Sequence, residues 1–219
     1  MGQAYRIDRL NLITYKGQKK KSINSLRCRY IAKSHVVNCE AQSQTFDFVN
    51  FRGSCFTKTT FKEAVFYGCD FWGTSFKDCS FQTAQFRDCI FMACKFNDCK
   101  FAGAQFSHST IVNTSLSGCR NIDISSGVKI YNAYPTCDIS ENLSDVLQKL
   151  KYNRNLKKNK MLFISDTKYN YLNIFLLRER YEERLPELLC KLESCSTKGI
   201  TTYKKLELVL NKLQNDAII

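Results

Sequence analysis

The chain has 219 residues, room for one large domain or two small ones, and its 33 Lys and Arg against 20 Asp and Glu leave a net charge of +13. That excess points to an acidic partner such as nucleic acid, anionic lipid or an acidic protein surface. No stretch approaches the ~20 apolar residues of a membrane span, and 12 Cys without a secretory leader predict buried, reduced thiols in a cytoplasmic compartment.

Residues Met1 to Tyr15 carry Arg6, Asp8 and Arg9 and lack the apolar core of a secretory signal. Met1-Gly2 matches the start of a myristoylation signal, but Arg6 stands where Ser or Thr is required. Lys19, Lys20 and Lys21 read as a basic loop. Leu26, Ile31, Val36 and Ala41 are spaced by five, with the small Cys39 beside them, so residues 1–45 are expected to be an N-terminal segment forming an irregular first coil.

From Phe46 the spacing becomes strict. Phe51, Phe56, Phe61, Phe66, Phe71, Phe76, Phe81, Phe86, Phe91, Phe96, Phe101, Phe106, Ile111 and Leu116 follow at every fifth position. A second series, two residues before the next large one, is small throughout: Ser54, Thr59, Ala64, Cys69, Thr74, Cys79, Ala84, Cys89, Cys94, Cys99, Ala104, Ser109, Thr114 and Cys119. A period of five fits neither a helix nor a flat strand. It fits a chain that turns one corner per five residues, so that four corners close a square coil and successive coils stack at the β-ladder spacing of ~4.8 Å. The large side chain fills the square, and the small one avoids overfilling it.

Runs such as Cys69-Asp70-Phe71, Cys79-Ser80-Phe81 and Cys99-Lys100-Phe101 give residues 46–120 a resemblance to the pentapeptide repeat family. The resemblance implies a mainly β fold, a right-handed quadrilateral β-helix, and action by binding. Some members of the family resemble DNA and protect or inhibit type II topoisomerases, using an acidic surface. This chain departs from them. Between residues 46 and 119 it places Arg52, Lys58, Lys62, Lys77, Arg87, Lys95 and Lys100 against Asp47, Glu63, Asp70, Asp78, Asp88 and Asp98. A nearly neutral rod is a poor imitation of a duplex carrying one charge per ~1.7 Å.

Residues one after each Phe point outward, and residues twenty apart stack. Arg52, Trp72, Met92 and Val112 therefore line one wall, with Ile90 beside them and Tyr67 at the edge. Such an apolar outer stripe is a packing surface, met either by a partner or by the chain's own C-terminal helices or flanking loops. The same stacking sets Cys69 over Cys89, and Cys79 over Cys99 over Cys119, within disulfide range. Because Cys alternates here with Ala, Ser and Thr, it reads as a choice of size with inert thiols.

The repeat fades over a linker at 121–137, and a helical region is expected over 138–219. A first helix starts near Asp138 or Ser140, with capping-box spacing from Asp138 to Glu141 and an apolar face of Leu143, Val146, Leu147 and Leu150. Lys151, Arg154, Lys157, Lys158 and Lys160 follow as a basic linker. A second segment spans Asp166 to Cys195 with Leu172, Phe175, Leu176, Leu188, Leu189 and Leu192, split or kinked at Pro186. A third begins near Thr201 or Thr202 and carries Leu206, Val209, Leu210 and Leu213. These faces predict helices that pack together or cap the open solenoid end.

The two His, His35 and His108, have no partner at catalytic or ligand spacing, and no phosphate loop occurs. No catalytic residue, cofactor or metal is expected. The leading expectation is a non-enzymatic protein-binding scaffold or adaptor that docks another protein or a larger assembly through the Trp72 stripe and the helical tail. The alternatives are a topoisomerase- or DNA gyrase-interacting protein of the quinolone-resistance kind, and a nucleic-acid- or host-target-binding effector. The basic flanks, Lys19 to Lys21 and Lys151 to Lys160, offer contact to an anionic partner. A dimer through the C-terminal helices is left open.

Overall fold

The computed structural model describes residues 8–116, 119–124 and 127–216. Met1, Gly2 and Arg6 lie outside them. The chain divides into two compact units, 1–133 and 134–219.

The first unit is a parallel β-solenoid of about six turns. Phe46 pairs with Phe66, and Phe66 with Phe86, each step covering one square coil. The wall bearing these residues contains strands Leu26–Arg27, Thr45–Asp47, Val65–Tyr67, Gln85–Arg87, Lys100–Ser107 and Arg120–Ile124. The next wall holds Asp70–Trp72, Ile90–Met92, Thr110–Val112 and Lys129–Tyr131, and the third holds Asn11–Ile13, His35–Val37, Cys55–Thr57, Ser75–Lys77 and Lys95–Asn97. The fourth is closed by single parallel bridges from Glu40 to Thr60, Ser80 and Lys100.

The ladder thus starts well before Phe46 and runs past residue 120. Asn11 pairs with His35, twenty-four residues on, so the first coil carries four residues more than the others. They are taken up in the exposed loop around Lys16 to Lys21, where Gly17 has a φ of +85°.

Burial explains why the large series is Phe. From Phe46 to Phe106 these side chains are buried and stack in four columns. Ring centroids lie 4.9 Å apart from Phe46 to Phe66, 4.8 Å from Phe66 to Phe86, 5.0 Å from Phe51 to Phe71 and 4.9 Å from Phe81 to Phe101. Neighbouring columns meet edge-on, as in Phe46 against Phe51 at 5.7 Å and 70°.

The small series does more than save volume. At three of the four corners its side chain donates a hydrogen bond to a Phe carbonyl one coil back. Cys69 Sγ reaches Phe46 O at 3.1 Å, Thr74 Oγ1 reaches Phe51 O at 3.0 Å, Cys89 Sγ reaches Phe66 O at 3.4 Å, and Ser109 Oγ reaches Phe86 O at 3.4 Å. The remaining corner carries Ala64, Ala84 and Ala104. There no side chain can donate, and the Phe carbonyl accepts a turn N–H, as from Ala64 N to Phe61 O at 3.1 Å and from Ala84 N to Phe81 O at 3.0 Å. Phe51 O accepts such a turn bond too, from Ser54 N at 3.0 Å, beside the Thr74 hydroxyl. Cys, Ser or Thr at this position thus adds a hydrogen bond between coils, whereas Ala meets only the requirement of size.

A third series of period five is conformational. Every fifth residue from Cys28 to Asn113 has a positive φ, including Lys58, Glu63, Asp78, Asp88 and Asp98. Only Gly accepts this region freely, whereas Asp and Asn tolerate it better than most residues. At Gly103, with a φ of +71°, a Cβ would also lie 3.1 Å from the Thr83 Cγ2 methyl.

All twelve cysteines are free thiols. The hydrogen bond with Cys99, and after it burial, push the Cys79 thiol up, and burial pushes Cys94 up to about 12. Cys79 and Cys94 are thus neutral and shielded, a poor state for nucleophilic or metal-binding chemistry.

The second unit is helical: α1 (Glu141–Leu150), α2 (Arg154–Lys158), α3 (Tyr171–Tyr181), α4 (Leu185–Glu193) and α5 (Tyr203–Asn215). Leu143, Leu147, Leu150, Leu177, Leu188, Leu189, Leu192, Leu206 and Leu210 share one core. The apolar helix faces are therefore largely used inside the unit. Three sequence expectations change. Ser140 is the residue before α1 and makes no side-chain cap, so the capping box from Asp138 does not form. The basic linker contains α2, capped by Asn153. The break in the long segment falls at Glu182, with a φ of +50°, and the 3-10 turn Glu182–Arg184. Pro186 instead sits in the first turn of α4, where a missing N–H costs nothing. α3 and α5 are joined through buried Glu207, whose carboxylate meets Arg180 Nε at 2.7 Å and Lys204 Nζ at 2.9 Å.

Phe66→Ala is expected to destabilise the solenoid by about 3–5 kcal/mol in urea unfolding, because the hole lies between two stacked rings. Gly103→Ala should cost about 1–2 kcal/mol in the same measurement through its left-handed backbone. The thiols make solenoid stability fall with alkaline pH. With its folded value raised from 9.0 to about 12, Cys94 contributes stability that is full below pH 9 and is lost as pH rises towards 12. Between those limits the loss is about 1.4 kcal/mol per pH unit for that thiol. Unfolding of Cys94→Ala at pH 7 and pH 10 should show a correspondingly smaller drop.

Candidate functional site

The outward-facing residues of the four walls differ in kind. On the Phe56 wall they are Cys55, Thr57, Ser75, Lys77, Lys95 and Asn97, and on the Phe61 wall Thr60, Lys62, Ser80, Gln82 and Lys100. On the wall of Phe71 and Phe91, Trp72, Met92, Val112 and Tyr131 stand in register, one per coil. Sequence reasoning found the first three of these and missed Tyr131, because one residue fewer separates it from Val112 than the repeat requires.

The structure brings the stripe together and also changes its exposure. Ile90, Met92 and Val112 are buried at 5%, 8% and 0%, so they are not an open face. Val112 lies between Met92 and Tyr131 on the ladder. Trp72 and Tyr67 are half-buried. Arg52 stacks its guanidinium 3.9 Å above the Trp72 ring, and Arg87 lies 5.8 Å from the Tyr67 ring. Asn50 and Asp70, also on this wall, are buried polar groups with Asn50 Nδ2 3.5 Å from Asp70 Oδ2. At the lower end of the stripe, half-buried rings are thus topped by cations.

His35 and His108 are both exposed, on a strand and at a corner. Among the described residues no three His, Cys, Asp or Glu converge as a metal-binding group, and no helix is long and apolar enough to cross a membrane.

The two basic runs lie in different units. Lys19, Lys20 and Lys21 are exposed on the loop of the first coil with Tyr15, whose side chain is 67% exposed. Lys151, Arg154, Lys157, Lys158 and Lys160 surround α2. Lys157 Nζ lies 2.5 Å from Asp166 Oδ1. That hydrogen bond, together with the charges of Lys157, Lys151 and Lys160, holds the Asp166 carboxyl below its ordinary value. Several lysines of the run therefore converge on one surface with the 165–168 loop.

The family model for pentapeptide repeats matches eight copies over residues 46–82 and 89–120. No curated protein matches the chain. Among solved structures, it is similar to a pentapeptide repeat protein of the Arabidopsis thaliana thylakoid lumen, with 18% identity and a TM-score of 0.38 over 63% of this chain and 83% of that one. It is similar to HetL, a pentapeptide repeat protein of the cyanobacterium Nostoc involved in regulating heterocyst differentiation, with 11% identity and a TM-score of 0.34 over 49% and 58%. It is also similar to QnrB1, a plasmid-mediated fluoroquinolone resistance protein, with 18% identity and a TM-score of 0.17 over 57% and 92%. With the repeat matched in sequence, four Phe columns at its core and one parallel rung per coil, residues 46–82 and 89–120 are pentapeptide repeats and fold as such.

Proposed function

We propose that the chain is a non-enzymatic scaffold that mounts another protein on the solenoid wall bearing Trp72, with Tyr67 at its edge. The observation that supports this is the contrast between walls. The Phe56 and Phe61 walls present mainly polar side chains outward, the Phe66 wall mixes polar residues with Val65 and Tyr67, and the Phe71 wall presents Trp72, Ile90, Met92, Val112 and Tyr131. Part of that wall is buried within the chain, and the half-buried Trp72 and Tyr67 are the rings that keep some exposed surface beside it. Aromatic rings topped by Arg52 and Arg87 suit a protein surface that offers an apolar pocket rimmed by carboxylates. The free thiols, six of them buried, fit a binding role in a reducing, cytoplasm-like compartment.

The near balance of charge along residues 46–119 weighs against a role as a DNA-like topoisomerase ligand. Affinity purification from native cells at low and high salt tests the reading. The same partner should be retained at both, since apolar docking is little screened. Trp72→Glu should lose at least 90% of it (roughly 1.4 kcal/mol or more) while the circular dichroism melt of the solenoid is unchanged. Retention of the partner by a folded Trp72→Glu variant rejects this surface. Inhibition of gyrase supercoiling by the purified protein would favour the topoisomerase reading instead.

A further inference from the structure

The helical unit concentrates its positive charge in one place. Residues 149–168 hold Lys149, Lys151, Arg154, Lys157, Lys158, Lys160 and Lys168 against Asp166 alone. The rest of the unit carries slightly more acid than base, so the cluster is not the average of a Lys-rich chain.

A solvated linker has no need of a rigid frame, and this segment has one. Asn153 Oδ1 accepts the N–H groups of Asn155 and Leu156 at 3.2 and 3.1 Å and the hydroxyl of Thr197 at 2.9 Å. Buried Asn159 donates to Ile200 O at 2.7 Å, buried Asn170 to Lys160 O at 2.8 Å, and buried Asn173 to Met161 O at 2.9 Å. Leu156 is sunk in the core beneath the cations. Arg154 is exposed and Lys151, Lys157, Lys158 and Lys160 are half-exposed on a backbone held on both sides, with Lys157 paired to Asp166, and little backbone ordering is left to be done when an anion binds.

Between Lys151 and Arg154 stands Tyr152, 87% exposed. Burial contributes nothing at that position, and the phenol sits at the turn between α1 and α2 with a ring face open to solvent. Cations spaced along a fixed segment around an open aromatic face match one ligand chemistry: a phosphodiester chain whose bases are free to stack. A membrane surface would call for several apolar side chains among the lysines, and a duplex keeps its bases out of reach of a stacking ring.

We propose that this surface binds single-stranded nucleic acid, with Tyr152 stacking on a base and Lys151, Arg154, Lys157, Lys158 and Lys160 facing the phosphates. The proposal does not depend on the Trp72 wall, which lies in the other unit. It is tested on the full chain by fluorescence anisotropy with labelled oligothymidylate and oligouridylate about 20 nucleotides long. Saturable binding is expected to either, weakening about 30- to 50-fold between about 50 and 200 mM salt if four phosphates are held. Tyr152→Ala should weaken it roughly tenfold at each salt concentration, and Tyr152→Phe should restore it to within about twofold. Lys158→Glu should weaken binding and flatten the salt dependence. Because Tyr152 is exposed, an unchanged melting curve for Tyr152→Ala is expected and confirms that the loss is local. Wild-type affinity in Tyr152→Ala overturns the proposal. So does equal binding of a duplex that ignores this substitution, binding of phosphatidylserine vesicles without binding of either oligonucleotide, or no binding at all.

Discussion

The spacing of a benzene ring stack along the solenoid axis equals the spacing of a β-ladder, and the first unit is built on that coincidence. Centroids within the Phe columns repeat at 4.6 to 5.3 Å, and the backbone rungs repeat at ~4.8 Å. A coil can therefore satisfy its main-chain hydrogen bonds and its core packing in one step, without tilt or slip. The other regularities follow. Four rings fill the square, so the neighbouring inward position must be small. The chain must turn after each ring, so each corner needs a left-handed residue. The remaining positions face outward and are released from the core, so function can be written on them.

Legibility in the sequence tracked how much of this physics depends on residue type alone. The Phe and small-residue series are chemical, and they specify the square coil from residue type alone. The corner series is conformational. It is occupied by Lys58, Glu63, Thr83 and Ala93 as well as by Gly and Asp, and no composition rule unites those residues. The alternation of Cys, Ser and Thr with Ala was read as size, which is half of its basis. The other half, the hydrogen bond that Cys, Ser or Thr donates to a carbonyl one coil back, exists only once the coils are stacked.

The same distinction governs the surfaces. Direction outward could be read from period five, so Trp72, Met92 and Val112 were placed on one wall. Coverage could not be read that way, and Ile90, Met92 and Val112 prove buried. In the helical unit the apolar faces were legible from their spacing. The basic segment read as a linker because charge and Asn dominate it, yet those Asn side chains are the frame that fixes it, and α2 forms within it. Pro186 drew attention as a helix breaker, whereas the chain breaks at Glu182, whose positive φ no side-chain rule forecasts.

The square cross-section has a consequence for how such a chain can change length. Four extra residues at Tyr15 to Lys21 are harmless because they bulge from a loop in the first coil, and the register from His35 upward is untouched. Loss of one five-residue unit inside the ladder would keep every Phe in the core, yet it would turn everything beyond that point by a quarter revolution. Trp72 would then sit above a different wall of the coils below, in a protein that is still folded and still hydrogen-bonded. Deletion of a whole coil would shorten the stripe without turning it. The solenoid thus behaves as a combination dial: stability counts residues in fives, whereas the alignment of any surface that runs up its side counts them in twenties.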